Sequence, residues 1–396
     1  MDYPLIYAQI DLDAVENNIL ALRKLTNQDV KFMAVVKADA YGHGAVRVAQ
    51  RAVKTGASWL GVARFHEAEE LRKAGINAPI LIFGFTHPLL VEKIADLDLT
   101  PTVYSVEMAE DLSYQACQKG VKIKAHLKID TGMGRVGMLP DSRRFPAKSR
   151  GNFTSSSQKI AFSNQKSIEE IKKIISLSNF ELEGIYTHFA AADSSDKSYA
   201  EYQLKVFNLL LDELKKEKIE FNLCHAANSA AIIDLPYAHF DMVRAGIAMY
   251  GLYPSDEVDK TKVNLKPAME LRSVITSVKE VPKGFKISYG MTCETEKKTI
   301  IASVPVGYAD GYSRLLSSTG SMLVKGVRAP IAGRVCMDQT LIDVGHITGV
   351  KQGDEVVIMG SQKNKTISAD DIARLIGTIN YEIVSSLTSR VYKIFI

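Results

Sequence analysis

Between residues 31 and 245 the sequence alternates, with little interruption, between short apolar runs and amphipathic stretches. The apolar runs fall at 31–36, 59–63, 80–83, 99–103, 122–129, 183–188, 221–225 and 240–244. Each is short, continuous and rich in β-branched or aliphatic residues, which is how a strand buried on both faces reads. The stretches between them, such as Arg64–Ala74 and Tyr199–Lys218, carry a helical period. Parallel strands joined by crossover helices satisfy this pattern, and eight such units close a (β/α)8 TIM-like barrel. After about Gly251 the pattern changes to β-branched alternating runs with turn glycines: Val274–Val281, Thr299–Val306, Met322–Val335 and Glu355–Met359, with one helix expected near Ser368–Ile376. The expected organisation is a barrel over 10–250 followed by a mostly-β domain over 251–396, which the strand-like residues 1–9 would join.

The first apolar run ends on a lysine. Phe32-Met33-Ala34-Val35-Val36 is followed by Lys37 and then a loop carrying Tyr41, Gly42, His43 and Gly44, with a helical pattern from Ala45. Lys37 could snorkel its ammonium to water. It could pair with Asp39 or a distant acid. It could also be a desolvated amine with a lowered pKa, suited to forming a Schiff base. In a barrel, functional groups gather where strands end at the carboxyl face. Lys37, His188 and Arg244 end the first, sixth and eighth runs, and Ser229 follows the seventh at an expected helix start. Any one of them alone reads more readily as structural; four at one mouth are harder to dismiss.

Composition removes several classes of function. A formal net charge of +4 over 396 residues gives no reason to expect a nucleic-acid partner. No apolar run approaches a membrane span, and the acidic amino terminus does not resemble a signal peptide, so a cytoplasmic protein is expected. Cys117, Cys224, Cys293 and Cys336 are dispersed and read as free thiols. The histidines show no metal-ligand spacing, so no metal is expected. Asp141–Ser167, free of acids after Ser142, reads as a basic surface loop. Gly132-x-Gly134-x-x-Gly137 matches a dinucleotide fingerprint in letters only, because the helix and the distant acid that the fingerprint needs are missing.

Read together and in order, VVKADAYGHG, LKIDTGMGRVG, EGIYTHFA, CHAANSAA, MVRAGIAMYG, SYG, VPVGYADGY, GRVCMDQ and INYEI resemble the alanine racemases, which use pyridoxal phosphate (PLP), over nearly the whole chain. The longer 141–167 loop and Tyr392, where a proline is common, depart from the family pattern. The resemblance implies that Lys37 carries the cofactor. It also implies that Tyr41, Ser229, Tyr381 and the backbone N–H groups around Gly246 and Ile247 hold its phosphate, and that His188 lies against its ring. Arg244 would face the pyridine nitrogen. As a permanent donor it cannot take the ring proton, and we expect this to limit side reactions such as transamination. A salt bridge of Arg244 with Asp241 is the structural alternative.

Two opposed bases follow from the same resemblance: Lys37 on the D face and Tyr289 on the L face, the latter from the partner in a head-to-tail homodimer. Tyrosine, with a reference pKa of about 10, needs nearby cations to act at neutral pH. Arg135 would bind the substrate carboxylate and the cofactor phenolic oxygen. Met337, with Cys336 and Asp338, would line the shared site, and Tyr308 its entrance. Lys128 would be carbamylated beside Arg135, or else be an ordinary lysine paired with an acid. The implied reaction is interconversion of L- and D-alanine, supplying peptidoglycan. A serine-preferring or broad racemase and a non-catalytic PLP-binding protein stay open, although the latter needs neither Tyr289 nor Arg135. A decarboxylase of related architecture would favour an acid where Arg244 stands.

Overall fold

The computed structural model describes residues 4–140 and 164–396. They form two compact units: Val15–Ala40 with Ala45–Lys266, and the amino terminus to Ala14 with Tyr41–Gly44 and Pro267–Ile396.

The larger unit is the barrel. Strands β2 (Lys31–Val35), β3 (Trp59–Val62), β4 (Ile80–Ile82), β5 (Leu99–Val103), β6 (Ile123–Lys128), β7 (Phe180–Tyr186), β8 (Leu223–His225) and β9 (Met242–Ala245) make one eight-stranded sheet. They follow chain order from β2 to β8, and β9 pairs parallel with β2. Hydrogen bonds from Asp241 N to Cys224 O and from Arg244 N to Ala227 O join β9 to the β8 segment. All eight expected runs are strands, and their burial explains their composition: β3, β4, β5 and β9 are buried at every position. Helices such as Ala45–Lys54, Val106–Lys119 and Ser198–Lys216 cover the outside with alanine, leucine and valine. The expected basic loop at 141–167 lies outside the described residues as far as Ser163, and its last residues begin the helix Gln165–Ile175.

In the second unit β1 (Ile6–Ile10) is antiparallel to β10 (Met269–Val274) and parallel to a carboxyl-terminal strand, Tyr392–Phe395. These belong to a seven-stranded sheet that accompanies a three-stranded and a two-stranded one. The alternating burial of β1 and β10 matches a sheet with one covered face. The expected helix is present at Ala369–Ile376, and a second, Asn380–Ser385, follows it. The expected run Val274–Val281 is broken at Ile275-Thr276, and β11 begins at Ser277.

Candidate functional site

Side-chain alternation along a strand sends residues two apart to the same face, and strand register then sets them beside one another. Lys128, Tyr186 and His225 stand opposite one another on β6, β7 and β8. Met33 on β2 faces Arg244 on β9. The expected strand-end residues therefore collect on one interior, joined by neighbours that motif reading did not single out.

Arg244 is 4% exposed and donates four hydrogen bonds. One goes to Nδ1 of His225 at 2.9 Å, one to Nδ1 of His188 at 3.1 Å, and two to the carbonyls of Thr187 and Ala226 at 2.9 and 3.0 Å. Its guanidinium lies 5.3 Å from the centre of the Tyr186 ring. Asp241 does not meet Arg244; its carboxylate accepts from Cys224 N at 2.7 Å. Burial lowers the Arg244 pKa to about 10, which leaves it cationic at neutral pH.

Lys37 begins an unusual turn. Ala38, Asp39, Ala40 and Tyr41 all have φ between 52° and 54°, so a left-handed turn stands where a loop was expected. Left-handed backbone costs about 1–2 kcal/mol per non-glycine residue, so the surroundings must hold it. Glu67 Oε1 accepts from Ala38 N at 2.7 Å, and Asp39 Oδ1 accepts from Ala45 N at 2.7 Å. Lys37, at the start of the turn, is half-buried. Burial and then the positive charge of Arg135 lower the Lys37 pKa, against Glu67, which raises it.

Arg135 is carried by the GMGR loop, which doubles back on β6. Asp130 Oδ1 accepts from Gly132 N and Gly134 N at 2.9 and 3.1 Å, while Asp130 N donates to Met138 O and Met138 N to Lys128 O. Gly137 (φ +150°) permits this, since a Cβ there would lie 2.5 Å from Asp130 N. Lys128 is 5% exposed. Its pKa falls to about 8, through burial first and then Arg135 and Arg244. Gln203, fully buried, links this loop to the end of β7 by accepting from Ala190 N and donating to Thr131 Oγ1 and His188 O. Ser229 begins a short helix capped by Asn228. Its Oγ accepts from Gly246 N at 2.9 Å and Ala248 N at 3.3 Å, which leaves its own proton to donate. The Gly246 N–H is thus engaged within the protein; Ile247, the next residue, opens a 3-10 turn.

The remaining expected residues belong to the other unit. Tyr41 and Tyr381 have ring centres 6.1 Å apart, and Gly42 lets them meet because a Cβ there would fall 2.1 Å from Val384 O. Tyr289 and Met337 are 71% and 52% exposed. Ser288 Oγ donates to Arg334 O and lies 3.6 Å from Cys336 Sγ, while Tyr308 N and Ala309 N donate to the carbonyls of Cys336 and Met337. Arg390 holds this segment through Asp310 at 3.1 Å and Asp338 at 2.6 Å.

The residues missed from sequence are Glu67, Asp130, Tyr186, Gln203, His225 and His126. Asp130 was legible as the acid inside a glycine-rich turn. The others depend on partners dozens of positions away.

The end of the barrel thus gathers buried Lys128 and Arg244 with half-buried Lys37, and exposed Arg135 is near enough to lower the pKa of both lysines, against Glu67 and Asp130. An ordinary barrel core does not collect desolvated cations. A chain with this barrel, a strand-end lysine and a β unit has the architecture of an amino-acid racemase. The family models agree: the alanine racemase N-terminal domain matches residues 10–147 and 156–254, and the C-terminal domain matches 268–395. An alanine racemase of Methanococcus maripaludis is 46% identical over 391 residues, covering 99% of this chain and 98% of that protein. Solved alanine racemases of Clostridium difficile and Bacillus anthracis, the latter with bound L-Ala-P, superpose with TM-scores of 0.90 and 0.89. They are 38% and 37% identical, cover 100% of this chain, and are themselves covered to 97% and 96%. The chain belongs to the alanine racemase family, and it is an enzyme of the isomerase class.

Proposed function

We propose that this enzyme interconverts L- and D-alanine with PLP, using Lys37 and Tyr289 as opposed bases. The observation that carries the reading is the surplus of positive charge at the end of the barrel, where Lys37, Lys128, Arg135 and Arg244 outnumber Glu67 and Asp130, which fits a ligand bearing phosphate, phenolate and carboxylate. When bound, PLP supplies the electron sink that acidifies the α-proton of an amino acid. All other steps belong to the chain.

Lys37 would hold the cofactor covalently, and its lowered pKa supports this, because the neutral amine is the nucleophile. The same amine would then take or return the α-proton on the D face. The phosphate would be held by Tyr41, Tyr381, the Ser229 hydroxyl and the Ile247 N–H, with the Gly246 N–H, given to Ser229, acting through that hydroxyl. Ser229 is supported by the two N–H groups it already accepts. His188 would stack on the ring. Arg244 would donate to the pyridine nitrogen, and four acceptors hold its guanidinium ready. Arg244→Glu should raise transamination; no increase would count against that role.

Arg135 would orient the substrate carboxylate. A Lys128 pKa near 8 leaves part of the amine neutral at pH 7.5. We propose that this neutral amine adds to carbon dioxide and loses a proton, giving a carbamate that pairs with Arg135. Tyr289 would act on the L face of the partner's barrel in a head-to-tail homodimer, a reading supported by exposed Tyr289, Met291, Leu315 and Met337. The enzyme would work in the cytoplasm and supply D-alanine for peptidoglycan. Among the described residues no helix is long and apolar enough to cross a membrane.

The test is chiral chromatography of L-alanine incubated with protein and PLP, beside Lys37→Ala. Progress to an equal mixture, lost in the variant, is expected. No D-alanine from protein with bound cofactor would refute the reading, and L-serine in parallel tests the broader specificity.

A further inference from the structure

His126 lies on β6, fully buried, two residues before Lys128, and no role has been given to it above. Its Nδ1 is 2.9 Å from Nε2 of His225, whose own Nδ1 receives Arg244 at 2.9 Å. A guanidinium has donors only, so the Nδ1 of His225, which faces Nη1, must be unprotonated, while Nη2 shares its two hydrogens among His188 and the Thr187 and Ala226 carbonyls. A neutral His225 then carries its proton on Nε2, which must donate to His126 Nδ1. His126 in turn is protonated on Nε2. That atom is buried and has no hydrogen-bond partner among the described residues; Glu183 Oε2 is 3.9 Å away, beyond hydrogen-bond reach.

The neighbours hold this arrangement. Glu183 is drawn to Lys124 at 3.3 Å. Trp59 packs against the His126 ring with centroids 5.2 Å apart, and Tyr186 stacks on His225 at 4.6 Å. Gly184 makes room, since a Cβ there would lie 2.7 Å from the His126 ring. The charges of Arg244 and Lys31 both oppose a charged His126.

We propose that His126 is a positioning residue: as the terminal acceptor of the one-way chain Arg244 to His225 to His126, it fixes His225 as the neutral Nε2–H tautomer and so keeps an acceptor in front of the Arg244 guanidinium. Because Arg244 does not release its proton, the chain orients and does not relay. The tautomers stand on the geometry alone; the effect on turnover rests on the proposed function.

Two measurements test this. In holoenzyme labelled with 15N-histidine, long-range proton–nitrogen correlations should give His126 and His225 pyridine-type Nδ1 and protonated Nε2, unchanged from about pH 6 to about pH 9. A protonated Nδ1 on His225, or a charged ring, overturns the proposal whether or not racemisation is seen. His126→Leu leaves the His225 Nε2–H without an acceptor. Its signal should broaden by exchange and kcat should fall about ten-fold, with KM little changed. His126→Asn puts an oxygen close to where Nδ1 was and should restore both. Equal behaviour of the two variants, or an unchanged His225 signal in His126→Leu, overturns the proposal.

Discussion

Acid should destabilise the barrel earlier than its carboxylates alone would allow. His126, His188 and His225 are all held neutral by burial and by Arg244, His126 down to about 3 and the other two well below the usual histidine value. A group whose pKa is lower folded than unfolded contributes its full stability above the unfolded value, and that stability is lost as pH falls. The unfolded chain begins to bind these protons near pH 6.5, while the folded barrel refuses them. Between pH 7 and pH 5.5 His126 lowers the unfolding free energy by about 1 kcal/mol, and His188 and His225 act in the same direction. Against the roughly 5–15 kcal/mol expected of a folded protein, a loss of this size is measurable. Asp and Glu, titrating unfolded near about 4, contribute little in this window. His239, also lowered by burial, adds in the same direction. The chain's single tryptophan, Trp59, is buried in the barrel against His126, so its fluorescence reports this unit. Urea unfolding followed at Trp59, at fixed protein concentration and at both pH values, should show the loss. His126→Asn should reduce it by about 1 kcal/mol. A free energy that does not change between pH 7 and pH 5.5, or a loss unchanged in the variant, would refute the reasoning.

Other outcomes follow from the site. Gly137→Ala should disorganise the loop that carries Arg135, since its Cβ would meet Asp130 backbone at 2.5 Å; kcat/KM should fall at least about ten-fold while Trp59 fluorescence stays native. Glu67→Gln removes the carboxylate that raises the Lys37 pKa, so the pH midpoint for PLP uptake should move to lower pH, and a move upward would contradict the assignment. Tyr289→Phe should abolish α-deuterium exchange of L-alanine in heavy water yet retain that of D-alanine; equal loss on both enantiomers would defeat the two-base reading. Native mass spectrometry should find one carbon dioxide adduct per chain, removed in Lys128→Ala and in protein prepared free of bicarbonate.

What could be read from the sequence was whatever repeats locally. The eight apolar runs announce buried parallel strands because a strand covered on both faces has no polar side to encode. Lys37, His188, Ser229 and Arg244 stood out because a charged or polar residue closing such a run is placed by the sheet itself. The long ordered motifs carried the family. The turn after Lys37 was hidden, because alanine and tyrosine disfavour left-handed backbone and one aspartate does not announce four such residues in a row; Glu67, 29 positions from Ala38, supplies the bond that helps to hold it. His126 and His225 are 99 residues apart and read singly as core histidines. Only strand register brings them to 2.9 Å, and only the fixed donors of Arg244 decide which nitrogen of each carries a proton. Local pattern thus determined the barrel and its mouth. The charge and tautomer of the groups inside were left to the tertiary structure, because they depend on which partners burial leaves within reach.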